Sequence, residues 1–102
     1  MELGAASFDW DDGNRAKCQK HGLSIADIEY VLAHSETYIV PDDKNSKYEP
    51  RFIAIGRNPR ERYAFVIFTL RQVNDQMVWR PISARYMHKK EIARYEKEIS
   101  SA

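Results

Sequence analysis

The chain has 102 residues, of which 43% are hydrophobic and 30% charged, with a formal net charge of +1 and a single cysteine. That length supports one hydrophobic core rather than two. Cys18 on its own excludes an internal disulfide and a cysteine zinc cluster, and no apolar run is long enough to span a membrane. One domain over residues 1–102 is therefore expected, cytoplasmic and without a secretory leader.

The small net charge hides an uneven division. Residues 1–50 hold five Lys/Arg and ten Asp/Glu, net −5, whereas residues 51–102 hold eleven and five, net +6. If that division survives folding, it makes a bipolar surface whose basic side suits nucleic acid or an acidic protein. The competing outcome is that the charges intermix once the halves pack together.

In chain order, Met1–Ser7 is weakly patterned and reads as a frayed end. Phe8–Trp10 alternates apolar and polar and predicts a short edge strand. Asp11 or Asp12 caps a helix running to His21, with Gly22 as its stop. Ser24 caps a second helix, with Asp27 completing a weak capping box and Ile25, Ile28, Val31 and Leu32 as its apolar stripe; it ends near His34. Thr37–Val40 predicts a strand and Pro41–Pro50 a polar loop. Arg51–Gly56 predicts a strand, Arg57–Glu61 a hairpin turn, and Arg62–Arg71 a central strand buried on both faces. Val73–Gln76 turns the chain into a strand over Met77–Ala84. A basic amphipathic helix starting near His88 carries Ile92, Tyr95 and Ile99 on one face. The whole is an α+β architecture: two N-terminal helices, an antiparallel sheet of about four strands and a C-terminal helix.

The chemistry concentrates in Arg80–Arg85, R-P-I-S-A-R, which closes a strand and brings Arg85 to a strand-to-helix junction. A guanidinium held over a packed sheet matches phosphate, because its planar fork donates two parallel charge-assisted hydrogen bonds. His21, His34 and His88 are far apart and none has a second ligand at helical spacing, so no metal is expected. Neither a phosphate-binding glycine loop nor a nucleophile elbow is present, and no cofactor is expected. RNA cleavage without metal needs a base for the 2′-hydroxyl, cations for the phosphorane and an acid for the leaving oxygen. Arg71 and Arg85, at strand ends, are the candidate catalytic cations; the competing reading is a structural ion pair with Glu49, Glu91 or a helix C-terminus. His21 and His88 are the candidate proton carriers, against an ordinary helix-end or surface role. Lys20, Arg51, Arg62 and Lys89 are the candidate RNA contacts, with Arg51 and Arg62 expected at one end of the sheet. The hairpin arginines, Arg62 among them, have a solvated turn as their plainer reading. Trp10, Trp79, Phe65 and Phe68 suit either base stacking or a core, with the core as the default.

Several pieces occur in an order that resembles the BrnT family of bacterial type II toxins. They are F-D-W-D at Phe8–Asp11, K-H-G at Lys20–Gly22, the helix from Ser24, E-P-R-F-I-A-I-G at Glu49–Gly56, F-T-L-R at Phe68–Arg71, I-S-A-R at Ile82–Arg85 and a final helix with Glu91 and Tyr95. The resemblance implies a RelE-like fold, ribonuclease activity without a cofactor, and growth arrest. It implies a ribbon-helix-helix (BrnA-like) antitoxin, with operator DNA bound only through the toxin–antitoxin complex and no membrane partner. Lys20, His21, Glu49, Arg51, Arg71 and Arg85 fall on motif positions. The chain departs from the pattern at Asn45-Ser46, where the family often has His-Ser, at Pro50 inside the Glu-x-Arg piece, and at Pro81, which marks an edge or a bulge in its strand. The alternative function is a non-catalytic module of the same fold that binds the antitoxin or nucleic acid.

Overall fold

The computed structural model describes residues 7–100, so all but the last residue of the expected frayed end lies outside the described residues. Helices α1 (Asp12–Gln19) and α2 (Ile25–Ala33) precede strands β1 (Tyr38–Pro41), β2 (Phe52–Arg57), β3 (Tyr63–Val73) and β4 (Gln76–Tyr86), and α3 (Lys89–Ser100) follows. The strands form one antiparallel meander in the order β1-β2-β3-β4. This is the expected α+β arrangement.

Local chemistry sets the helix ends. The Asp11 carboxylate accepts the Asn14 N–H, and the Asn14 side-chain oxygen accepts the Asp11 N–H, closing a reciprocal capping box. The helix ends at Gln19, so His21 lies in the following turn, and Gly22 takes φ +97° to redirect the chain. Ser24 caps α2 by accepting the Asp27 N–H. The Asp27 carboxylate does not complete a box there. It accepts from Arg60 Nη2 at 2.9 Å and from Asn58 Nδ2 at 3.4 Å, tying α2 to the β2–β3 hairpin.

Strand alternation sorts the sheet into two unlike faces. Ala64, Val66 and Phe68 of β3 are fully buried with Ala54, Trp79 and Ala84, beneath Cys18 of α1, Leu23, and Ile28, Val31 and Leu32 of α2. Phe65 and Ile67, on the other face, are only partly buried. The expectation that β3 is buried on both faces thus holds for one. The second face is covered only in part, by α3, a single helix with no buried residue whose Tyr95 ring meets Tyr38 and Tyr63, and the rest of it stays open.

The β3–β4 hairpin turns through Asn74 and Asp75 at φ 51° and 65°, the pair of left-handed residues that a two-residue hairpin requires. Strand β4 ends the sheet order, and its register slips between Ser83, opposite Ile67, and Pro81, opposite Phe68. Pro81 was expected at an edge or a bulge, and it has both. The strand expected at Phe8–Trp10 is a single parallel bridge from Phe8 to Trp79. Asp9 donates its N–H to Trp79 O and Trp79 returns one to Ser7 O, after which Asp11 leaves the sheet edge to cap α1.

The two differently charged halves interlock. Asp27 pairs with Arg60, Glu49 with Arg71, and Asp9 and Asp11 both with Arg80. Each pair joins an acid of the first half to an arginine of the second, so these charges intermix.

Candidate active site

Arg85 stands opposite Phe65 on the sheet face that α1 and α2 do not cover. Its guanidinium lies 4.5 Å above the Phe65 ring, and Glu91 receives Nη1 at 2.7 Å and Nη2 at 2.8 Å. The other contact of Glu91 is the His88 N–H, accepted at 2.9 Å, so the carboxylate caps α3 while it aims Arg85. Hydrogen bonding by Arg85, then by the His88 N–H, holds the Glu91 carboxyl down at about 2, and Glu91 in turn raises the Arg85 pKa. The ion pair is partly open to solvent. A guanidinium has five N–H donors, so the carboxylate leaves donors for a further oxygen.

The antiparallel register distributes the other candidates. Arg71 is six residues from Phe65 along β3, which puts its backbone about 20 Å from that of Arg85. Ending adjacent strands, the two arginines lie at opposite ends of the sheet, because those strands run in opposite directions. For the same reason Arg51 and Arg62 do not meet. Arg51 precedes Phe52, which pairs with Phe68, whereas Arg62 precedes Tyr63, which pairs with Arg57. Arg51 therefore shares an end with Arg71, where Glu49 lies 3.6 Å from the Arg71 guanidinium. Arg62 shares the other end with Arg85.

At the Arg85 end, Tyr86 points to the opposite face from Arg85 by alternation. The Arg62 guanidinium lies 3.6 Å over the Tyr86 ring. A Cβ placed on Gly22 would stand 3.8 Å from the same ring, so the Lys20–Gly22 turn packs there too. His21 and Lys20, both exposed, precede Gly22 in that turn, which lies on the Tyr86 side of β4, the opposite face from Arg85. His88 and Lys89 are exposed where β4 passes into α3, close to Arg85 in the chain. The default reading holds for Trp79 and Phe68, which are in the core, and Trp10 packs against it with its Nε1 donating to Glu29. Phe65 serves as the platform for Arg85 instead.

Asn45 turns its amide to the Asp42 carboxylate at 3.1 and 3.3 Å. Pro50 is built into the far end of the sheet, its carbonyl accepting the Thr69 hydroxyl. Two features escape sequence reasoning. One is the Asp27–Arg60–Asn58 network, whose partners are about thirty residues apart in the chain. The other is a cleft of about 440 Å³ between α2, the β2–β3 hairpin and α3. Among the described residues, no group of three or more His, Cys, Asp or Glu is placed to hold a metal ion, and no helix is long and apolar enough to cross a membrane.

A family model described as "Ribonuclease toxin, BrnT, of type II toxin-antitoxin system" matches residues 10–91. The chain belongs to the BrnT family. No curated protein matches the chain significantly. BrnT chains are ribonuclease toxins of type II systems, and membership gives this one a protein antitoxin as its partner. The matched span contains every arginine, lysine and histidine considered above, and it closes on Glu91, the residue that holds Arg85.

Proposed function

We propose that the protein is a metal-independent endoribonuclease in which Arg85 stabilises the charge that develops on the scissile phosphate. The observation that carries this reading is the guanidinium fixed between the Phe65 ring and the Glu91 carboxylate, on the open face of the sheet. Attack by the 2′-hydroxyl makes a dianionic phosphorane, and a cation already held in place stabilises it without reorganising. Arginine keeps its proton, so it supplies charge and not proton transfer. His88, beside Arg85 in the chain, is the proton carrier on this reading, and His21 a binding residue with Lys20, Arg62 and Lys89. Arg51 and Arg71 hold the RNA backbone at the far end of the sheet.

The test is degradation of purified RNA by purified toxin in excess chelator. Parent protein cleaves under those conditions, and Arg85→Ala loses about 10²–10³ in rate while remaining folded. Undiminished cleavage by Arg85→Ala would sink the assignment, and cleavage abolished by chelator would sink metal independence. No cleavage by the parent would favour the non-catalytic module.

The antitoxin, on the same reading, carries a ribbon-helix-helix part, and operator DNA is bound only by the complex. The support is the ordered set of motif pieces from Phe8 to Tyr95. Co-expression with the adjacent reading frame should yield a complex that shifts promoter DNA, which the toxin alone does not.

A further inference from the structure

We propose that the cleft between α2 and α3 seats a guanine base of the RNA. The proposal rests on the ribonuclease reading but uses different residues. At about 440 Å³ the cleft is in the range of small-ligand sites. One wall is aromatic through Tyr30 and His34 of α2, whose rings are 5.3 Å apart, and another through Tyr63 and Tyr95, 5.7 Å apart. Arg57 lies 4.9 Å over the Tyr63 ring and donates to its hydroxyl at 3.0 Å, adding a planar cation to that wall. Unpaired RNA bases are held on such aromatic and guanidinium planes.

The lining also includes Glu36 and Glu61, both exposed. Two carboxylates repel a phosphate, so the cleft suits the base rather than the backbone. A carboxylate accepts hydrogen bonds, and guanine alone offers adjacent ring N–H and amino donors to both of its oxygens. Adenine and cytosine offer an amino group, and uracil a single ring N–H. Glu61 takes φ +64°, a left-handed conformation normally left to glycine or asparagine. The β2–β3 hairpin imposes that conformation, closed by the Asn58 N–H to Arg62 O and the Glu61 N–H to Asn58 O, and so fixes where the Glu61 side chain starts at the cleft.

The placement fits the substrate path. Ile55 lines the cleft and pairs with Phe65, which pairs with Arg85. Two strand spacings, about 10 Å, therefore separate the cleft from the Arg85 strand, so the seated base flanks the phosphate at Arg85.

The experiment titrates the intact protein with 5′-GMP, AMP, CMP and UMP, following tyrosine ring signals by NMR, and measures RNA cleavage separately. GMP should bind about tenfold tighter than the others, the order that one bidentate base contact supplies. Glu61→Gly should remove that preference and leave Tm equal or higher, because the backbone strain is relieved. Glu61→Gln should weaken the preference, since an amide has one acceptor. Equal affinity for the four nucleotides, or an undiminished GMP preference in Glu61→Gly, overturns the proposal. So does a cleft whose signals move with antitoxin and with no nucleotide. If RNA is cleaved while GMP is not preferred, the inference fails and the ribonuclease reading stands; if GMP is preferred and RNA is not cleaved, the ribonuclease reading alone fails.

Discussion

Arg85 and Glu91 face each other fork to fork across the β4–α3 junction, at 2.7 and 2.8 Å. One carboxylate thereby starts a helix and aims a guanidinium, so the order of α3's first turn and the direction of Arg85 are coupled.

That coupling has a pH signature. The Glu91 carboxyl titrates at about 2 in the folded chain against an ordinary 4.5, so the stability it contributes is fully present above about 4.5 and is lost as pH falls towards 2. Because the pair is partly exposed, its contribution is at most about 1 kcal/mol. Glu91→Gln should be less stable than the parent by about that amount at pH 7, and the gap should close between pH 4.5 and 2. Urea midpoints across that range check it; a gap independent of pH refutes the account.

Arg71 and Arg85 should separate functionally as they do in space. Arg71→Ala removes one phosphate contact, so the dependence of log affinity on log salt should become shallower by about one contact's worth. Its rate with saturating RNA should stay within a few-fold of the parent. Single-turnover cleavage alongside binding at several salt concentrations distinguishes this from the large rate loss expected of Arg85→Ala.

The two histidines should likewise differ. Histidine is the side chain that ordinarily titrates between about pH 5 and 8. His88 adjoins Arg85, whereas His21 is in a turn packed on Tyr86, which faces away. His88→Ala should flatten the pH–rate profile, and His21→Ala should weaken RNA binding with the profile kept. The reverse assignment would move the chemistry to the Tyr86 side of β4.

Gly56 offers a test of the frame beneath the cleft. A Cβ there would run into the Thr37 hydroxyl, which cannot yield freely because it donates to Val31 O at 2.6 Å. Gly56→Ala should cost about 1–3 kcal/mol. Adding Thr37→Ala should recover part of that loss, a coupling that a double-mutant cycle in denaturant will reveal.

Much of this molecule is legible in its sequence where the signal is local. Ser24 and Gly22 mark helix ends, the alternating runs mark strands, and Pro81 marks a broken ladder at an edge. What is not legible depends on partners distant in the chain. Asp27 looks like half a capping box until Arg60 and Asn58 reach it from the hairpin. Asn58 looks like a turn residue, yet it is buried, its side-chain oxygen accepting the N–H groups of Arg60 and Arg62. The apolar run of β3 does not tell how much of each face is covered, because that depends on how a short C-terminal helix lies. The pairing of candidates fails for one reason. Strand ends that are adjacent in sequence order are opposed in an antiparallel sheet, so Arg51 goes with Arg71 and Arg62 with Arg85.

The register slip beside Pro81 settles a question of phase. Trp79 and Arg85 are six residues apart on one strand, and an even count puts both on one face of an unbroken ladder. Yet Trp79 belongs in the core and Arg85 on the open face. The one extra residue, Ile82, advances the alternation by half a period, so that each end of β4 shows its proper side. Strand β4 thus carries two messages written in different frames, one for folding and one for chemistry. Deleting Ile82 would merge the frames, and no compensating choice of side chain at position 79 or 85 alone would satisfy both.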